Sequence, residues 1–178
     1  SDLRYCPCFL TIFQDKKLIT MTLPQTPGPI GIFDSGYGGL TILQGIRQQL
    51  PQYDYVYLGD NARAPYGSRS FDVVYQFTRQ AVVKLFEMGC HLVILGCNTA
   101  SAKALRTIQQ NDLPLIDPAR RVLGVIRPTA EIVGNLTRSR HVGILATEGT
   151  IRSHSYALEI KKLSPDITVT GVACPLWV

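Results

Sequence analysis

The chain has 178 residues and a net charge of +5, with 46% apolar and 17% charged residues. This composition is that of a folded globular protein and excludes a disordered chain. The length allows one well-packed core, or one domain and part of another.

The residue pattern also disfavours several kinds of partner. The densest basic stretch runs from Arg120 to Arg140 without interleaved aromatic residues, so no nucleic-acid surface is expected. No apolar run reaches the roughly 18 residues of a membrane-spanning helix. The five cysteines and three histidines form neither a disulfide framework nor a zinc spacing. We therefore expect a cytoplasmic protein with reduced thiols, no bound metal and no membrane partner.

Residues 1–20 are expected to be a non-native upstream extension. The apolar stretch 9–13 lies near Pro7 and is followed by Asp15 and two lysines. Because no small-residue cleavage site follows, the pattern does not predict a signal peptide. We expect the natural start at Met21.

From residue 30 onwards, predicted strands alternate with predicted helices. The predicted strands cover residues 30–33, 55–58, 92–95, 113–116, 141–146 and 167–172. The predicted helices cover residues 40–50, 71–88, 99–111, 128–136 and 150–163. Such alternation predicts an α/β fold with βαβ units and a parallel sheet. We expect a first α/β domain over residues 30–118 and part of a second, similar domain over residues 119–178.

Cys97 is the most informative residue, because it follows the apolar run 91–96 and precedes a predicted helix. Free N–H groups and the dipole at a helix start favour a thiolate. Asn98 and Thr99 add an amide and a hydroxyl, so this turn is a candidate carboxylate cradle. A cysteine at a strand end more often serves packing, and we assign that role to Cys90 and Cys174.

Three more turns follow predicted strands, at residues 34–39, 60–68 and 147–150. The first lacks the third glycine of a dinucleotide fingerprint, and Asp34 suits an ammonium group or proton transfer, or else caps the helix together with Ser35. The second turn offers a backbone N–H to an anion. The third either presents hydroxyls to a carboxylate or caps a helix. The first two, together with the turn at Cys97, would open towards one edge of a parallel sheet.

Three motifs, in this order, resemble the glutamate racemase family and, less distinctively, the related aspartate racemases. They are Phe33-Asp34-Ser35-Gly36 with Gly38-Gly39-Leu40-Thr41, Tyr57-Leu58-Gly59-Asp60 with Ala62-Arg63 and Pro65-Tyr66-Gly67, and Cys97-Asn98-Thr99-Ala100-Ser101-Ala102. The resemblance covers nearly everything from residue 30 to the end.

The resemblance implies cofactor-independent interconversion of L- and D-glutamate for peptidoglycan, with two similar α/β domains. One cysteine from each domain would flank the substrate α-carbon, and Cys97 matches the first of them. The matching substrate-binding positions are Asp34, Ser35, Tyr66, Gly67, Asn98 and Thr99. Thr147 and Thr150 resemble a further contact pair.

The same resemblance implies glutamate as a small-molecule partner and leaves homodimerisation open. No Schiff-base lysine is expected, because the predicted helices carry the candidates away from the site edge. Those candidates are Lys84, Lys103, Lys161 and Lys162.

The family's second cysteine lies in a downstream Cys-Thr-His motif, which this sequence does not contain. Cys174-Pro175-Leu176 is not that motif, so we expect the chain to be truncated before the second acid/base. One-sided exchange of the α-proton is then the most this chain is expected to do, and an inactive fragment is the alternative. An aspartate racemase and a non-catalytic amino-acid-binding fragment also stay open.

Overall fold

The computed structural model describes residues 9–14, 17–22 and 28–177 of the chain. An antiparallel hairpin comes first, formed by β1 (Phe9–Gln14) and β2 (Lys17–Thr22). Cys6 and Cys8 lie outside the described residues. The origin of residues 1–20 as an upstream extension stays a prediction.

Four parallel strands form the main sheet, in the order β4–β3–β5–β6. The strands are β3 (Ile30–Asp34), β4 (Tyr55–Gly59), β5 (Leu92–Leu95) and β6 (Arg121–Gly124). The register places Ile30 opposite both Tyr55 and Leu92. Strand β3 is buried along its whole length, which explains its continuous apolar sequence. The parallel sheet predicted from the sequence is confirmed.

Five helices connect and cover these strands. They are α1 (Gly39–Gln49), α2 (Phe71–Glu87), α3 (Asn98–Lys103), α4 (Leu105–Thr107) and α5 (Leu113–Ile116). The side chain of Ser70 accepts the Val73 N–H and so caps the start of α2. Just past its end, Gly89 has a φ of +88°, a conformation that favours glycine. The buried face of α2 joins Phe33 and Leu95 in the main core.

The predicted strand over residues 113–116 is wrong, because this segment is helix α5. Pro114 stands in its first turn, where a missing N–H breaks no helical hydrogen bond. The fourth strand is instead β6, at the edge of the sheet. The predicted helix over residues 99–111 is also interrupted, since α3 ends at Lys103 and a π-helical segment covers Ile108–Asp112.

A second, two-stranded parallel sheet follows, with β7 (His141–Ala146) and β8 (Thr168–Ala173). Its helices are α6 (Ile126–Leu136), α7 (Glu148–Arg152) and α8 (Ser155–Leu163). A small core of Ala130, Ile160 and Ile167 packs against this sheet. The helix predicted over residues 150–163 is broken at His154, which is left-handed with φ 53°.

Strand β6 hydrogen-bonds with β5, so the main sheet extends past residue 118, where the sequence suggested that the first domain ends. The division into two domains itself stays a prediction. Among the residues that the structure describes, none of the helices has the length and apolar character needed to cross a membrane.

Candidate active site

The turns after β3, β4 and β5 meet at the carboxyl edge of the main sheet. The Gly96 N–H donates to the Phe33 carbonyl over 2.8 Å, and the Asp60 N–H donates to the Asp34 carbonyl over 2.9 Å. These bonds align the three strand ends at one level. The predicted convergence of the turns is therefore confirmed, and it places two of the sequence-predicted site residues, Ser35 and Cys97, in contact.

Cys97 occupies the cap position of helix α3. Its Sγ accepts the Ala100 N–H over 3.4 Å and lies 3.1 Å from the Ser35 Oγ. The residue is 6% exposed. The sulfur thus stands at the sheet edge between the Ser35 hydroxyl and the start of α3.

Burial and hydrogen bonding act in opposite directions on the pKa of the Cys97 thiol. Burial raises the pKa of the Cys97 thiol, hydrogen bonds from Ser35 and the Ala100 N–H oppose this increase, and the Asp34 carboxylate adds to it. The net direction is upward, because desolvation penalises the thiolate more than these hydrogen bonds stabilise it. Burial therefore favours the neutral thiol over the thiolate at this position.

Replacing Ser35 by alanine is expected to raise the pKa of Cys97 further, because the thiolate loses a hydrogen-bond donor. A hydrogen bond to a charged group contributes about 1.5–3 kcal/mol, so alkylation of Cys97 by iodoacetamide at pH 8 should slow by about tenfold or more. The measurement is the alkylation rate by mass spectrometry across pH 7 to 10. Ser139→Ala, at an exposed position, is the control and should leave the rate unchanged. An undiminished rate in Ser35→Ala would show that this hydroxyl does not stabilise the thiolate.

Asp34 is held in place by two neighbours. Its Oδ2 accepts the N–H of Gly39, the first residue of α1, over 2.8 Å and lies 3.5 Å from the Tyr57 hydroxyl. Asp34 thus accepts the first N–H of α1, whereas Ser35 contacts Cys97. Tyr57 was missed from the sequence: it donates to the Gly36 carbonyl over 3.0 Å, and burial raises its pKa to about 12. Its place near the end of a strand adjacent to β3 was the signal that could have found it.

In the loop after β4, the side chain of Tyr66 is buried, so only the main chain of this residue is open to a ligand. Tyr66 is 1% exposed, and its hydroxyl donates to Asp60, which also accepts from Arg63. Its ring packs against Phe33 and Phe77. Because the phenol is fully engaged, a ligand could meet Tyr66 only through the main chain.

Asn98, Thr99 and the 147–150 turn form a polar cluster beside Cys97. The Tyr156 hydroxyl donates to Asn98 Oδ1 over 2.6 Å. Thr99 Oγ1 lies 3.0 Å from Thr147 Oγ1, which in turn lies 3.1 Å from Thr150 Oγ1. A cavity of about 510 Å³ adjoins this cluster beside strand β7, and its lining includes Asn98, Thr147 and Thr150 but not Cys97.

Lys103 corrects the expectation that the helical lysines lie away from the site edge. It is 8% exposed, and its Nζ donates to the Arg69 carbonyl in the segment after β4. Lys84, in contrast, is exposed and pairs with Glu87. Among the described residues, no group of three or more His, Cys, Asp or Glu side chains could hold a metal ion.

Fold and site together define an α/β protein that presents a buried cysteine, flanked by hydroxyl and amide groups, at the carboxyl edge of a parallel sheet. No protein-family model matches the sequence. Two curated relatives are glutamate racemases: that of Geobacter metallireducens is 46% identical over 84% of this chain and 53% of its own length, and that of Staphylococcus carnosus is 45% identical over 84% and 54%. The chain is a homologue of the glutamate racemases.

Solved structures agree with the sequence comparison. Glutamate racemase isoform RacE1 from Bacillus anthracis aligns with a TM-score of 0.79 and 35% identity, over 86% of this chain and 55% of that chain. Glutamate racemase from Francisella tularensis, in complex with D-glutamate, aligns with a TM-score of 0.75 and 40% identity, over 84% and 54%. The chain spans about half the length of the curated relatives it matches.

Proposed function

We propose that the protein acts on the α-proton of glutamate without a cofactor and contributes to the interconversion of its L and D forms. The observation that carries this proposal is the position of the Cys97 Sγ at the sheet edge, 3.1 Å from Ser35 and within the start of α3. The homologues compared above are glutamate racemases, and the one from Francisella tularensis was solved in complex with D-glutamate. The D-glutamate would serve peptidoglycan synthesis in the cytoplasm.

The proposed roles follow from the chemistry of a weakly acidic carbon. Removing the α-proton creates negative charge that extends onto the carboxylate, so fixed hydrogen-bond donors must stabilise it. Thr99, the Asn98 amide and the main chain at Gly67 are the proposed donors. Cys97 takes or returns the proton as a general base or acid.

Substrate binding would also change the charge on the sulfur. The ammonium group of the amino acid is expected to lie beside Asp34, where it offsets the carboxylate that raises the pKa of the Cys97 thiol. A positive charge close to the sulfur favours its anionic form. The thiolate would therefore form mainly when the substrate is in place.

Deuterium incorporation tests this function on the chain itself. The protein is incubated separately with L-glutamate and with D-glutamate in D₂O without added cofactor, and the α-proton signal is followed by NMR. Both enantiomers are needed because a base on one face of the α-carbon reaches the proton of only one of them. We expect the signal to decay faster for glutamate than for aspartate by about tenfold, the difference typical of one methylene in a fitted site. Faster exchange of aspartate would favour an aspartate racemase. Calorimetric binding of glutamate without exchange would favour a non-catalytic amino-acid-binding protein.

A further inference from the structure

We propose that Lys103 is a positioning residue that fastens the loop after β4 to the turn after β7, and so sets the shape in which the site receives glutamate. The inference rests on the proposed function. Lys103 itself is not expected to touch the substrate.

The lysine reaches the loop after β4 through its ammonium group. Lys103 is the last residue of α3, and its Nζ donates to the Arg69 carbonyl over 2.5 Å. This carbonyl lies two residues beyond Gly67, whose main chain is a proposed substrate contact. The hydrogen bond thus anchors the loop to the same helix that Cys97 begins.

The same side chain also lies directly against the turn after β7. A Cβ added at Gly149 would come within 2.5 Å of both Cε and Nζ of Lys103. A Cβ does not approach other heavy atoms this closely, so an alanine here would force the end of the lysine side chain to move. The Gly67 carbonyl oxygen, 2.9 Å from the same Cβ, restricts the backbone as well. One side chain therefore touches both segments.

The two segments meet each other beneath the lysine. The Gly149 N–H donates to the Gly67 carbonyl over 3.1 Å, and a Cβ added at Gly67 would lie 2.9 Å from the Thr147 side chain. Thr147 in turn contacts Thr99. We call this contact of Gly67, Arg69, Lys103, Thr147 and Gly149 the joint. Its geometry fixes where Gly67, Thr99 and Thr147 stand relative to Cys97.

The charge of Lys103 argues against a role in which its side chain only fills space. Burial lowers the pKa of Lys103, and the nearby Glu148 carboxylate acts against that change. A buried ammonium group is costly unless it is well hydrogen-bonded. An apolar side chain would fill this position without that cost, whereas only a donor can hold the Arg69 carbonyl.

Two pairs of variants test the role of the joint. Lys103→Met keeps most of the side-chain volume but loses the donor, and Lys84→Met on the exposed face of α2 is its control. Gly149→Ala pushes against the lysine from the other side. Gly45→Ala on the exposed side of α1 is the control, because a Cβ there meets nothing within 4 Å.

Three quantities are measured for each variant: the glutamate concentration that gives half-maximal α-deuterium exchange, the exchange rate at saturation, and hydrogen exchange at the Gly149 N–H. We expect Lys103→Met and Gly149→Ala each to raise the half-maximal concentration by about tenfold, the effect of losing one charge-assisted hydrogen bond. The saturating rate should stay within about twofold, because the contacts of Cys97 do not involve the lysine. Hydrogen exchange at Gly149 should accelerate in Lys103→Met, and both controls should behave like the parent protein.

The double variant Lys103→Met with Gly149→Ala should weaken binding by less than the product of the single effects, since both changes break one contact. Unchanged half-maximal concentration in Lys103→Met would overturn the proposal, even if hydrogen exchange or thermal stability changed, because the lysine would then be only structural. A fall in the saturating rate alone would overturn it as well. If the parent protein neither binds glutamate nor exchanges its α-proton, the proposed function fails instead. The Gly149 hydrogen-exchange rates then still decide whether Lys103 fastens the joint.

Discussion

Replacing Cys97 by alanine is expected to abolish deuterium exchange at the α-carbon of glutamate. The Cys97 sulfur is the proposed general base, and it contacts Ser35 and the Ala100 N–H at the sheet edge. Loss of a positioned general base lowers a rate by about 100- to 10,000-fold. Cys97→Ser should lose nearly as much, because a hydroxyl ionises far less readily than a thiol. The measurement is the loss of the α-proton NMR signal in D₂O.

The matched control is Cys174→Ala, which changes a partly exposed thiol after β8. It should exchange glutamate at the parent rate. Calorimetry should show that Cys97→Ala still binds glutamate, which separates lost chemistry from lost folding. Full exchange by Cys97→Ala would remove Cys97 from the mechanism, whatever the control does.

Replacing Phe33 by alanine is expected to cause the largest loss of stability. Phe33 has no exposed surface, lies in the buried central strand β3, and packs against Tyr66 with ring centroids 6.2 Å apart. Truncation of a buried phenylalanine costs about 3–5 kcal/mol of the free energy of unfolding. That is a large share of the roughly 5–15 kcal/mol that stabilises a typical domain. Urea denaturation followed by circular dichroism measures the change.

Phe71→Ala provides the comparison, since Phe71 is 51% exposed at the start of α2. It should cost about 1 kcal/mol or less, as surface substitutions usually do. Equal losses in the two variants would mean that the core is not centred on β3. The Phe33 variant should also alkylate faster at Cys97, because the same strand carries Asp34 and Ser35 at its end.

The parts of the fold that the sequence predicted are those with strong local patterns. The apolar run 30–33 is compatible only with a buried strand, and the helical spacing of residues 71–88 only with a helix that covers the sheet. The short run 113–116 is compatible with two structures, because four apolar residues fit a strand or a helical turn equally well. Strand β6 gave little signal, because Arg121 and Gly124 flank only two apolar residues at a sheet edge.

The candidate site was predictable to a similar degree. Turns that follow parallel strands must meet at one edge, so a shared edge for Ser35 and Cys97 followed from the strand assignments. Their contact also depends on β3 and β5 being neighbours in the sheet. The hydrogen-bond partners of Tyr57 and Lys103 could not be predicted in this way. They depend on strand order and on how closely α3 approaches the next segments. The upward direction of the thiol pKa was also missed, since it depends on how deeply the sulfur is buried.

The order of strands in the main sheet has a consequence for how the protein is made. Strand β3 pairs on one side with residues 55–59 and on the other with residues 92–95. While a ribosome synthesises the chain, β3 therefore waits with one edge open until the later partner has emerged. Long-range pairing of this kind folds slowly and exposes apolar surface meanwhile. Chaperones that bind nascent chains would shield the open edge of β3 during this time.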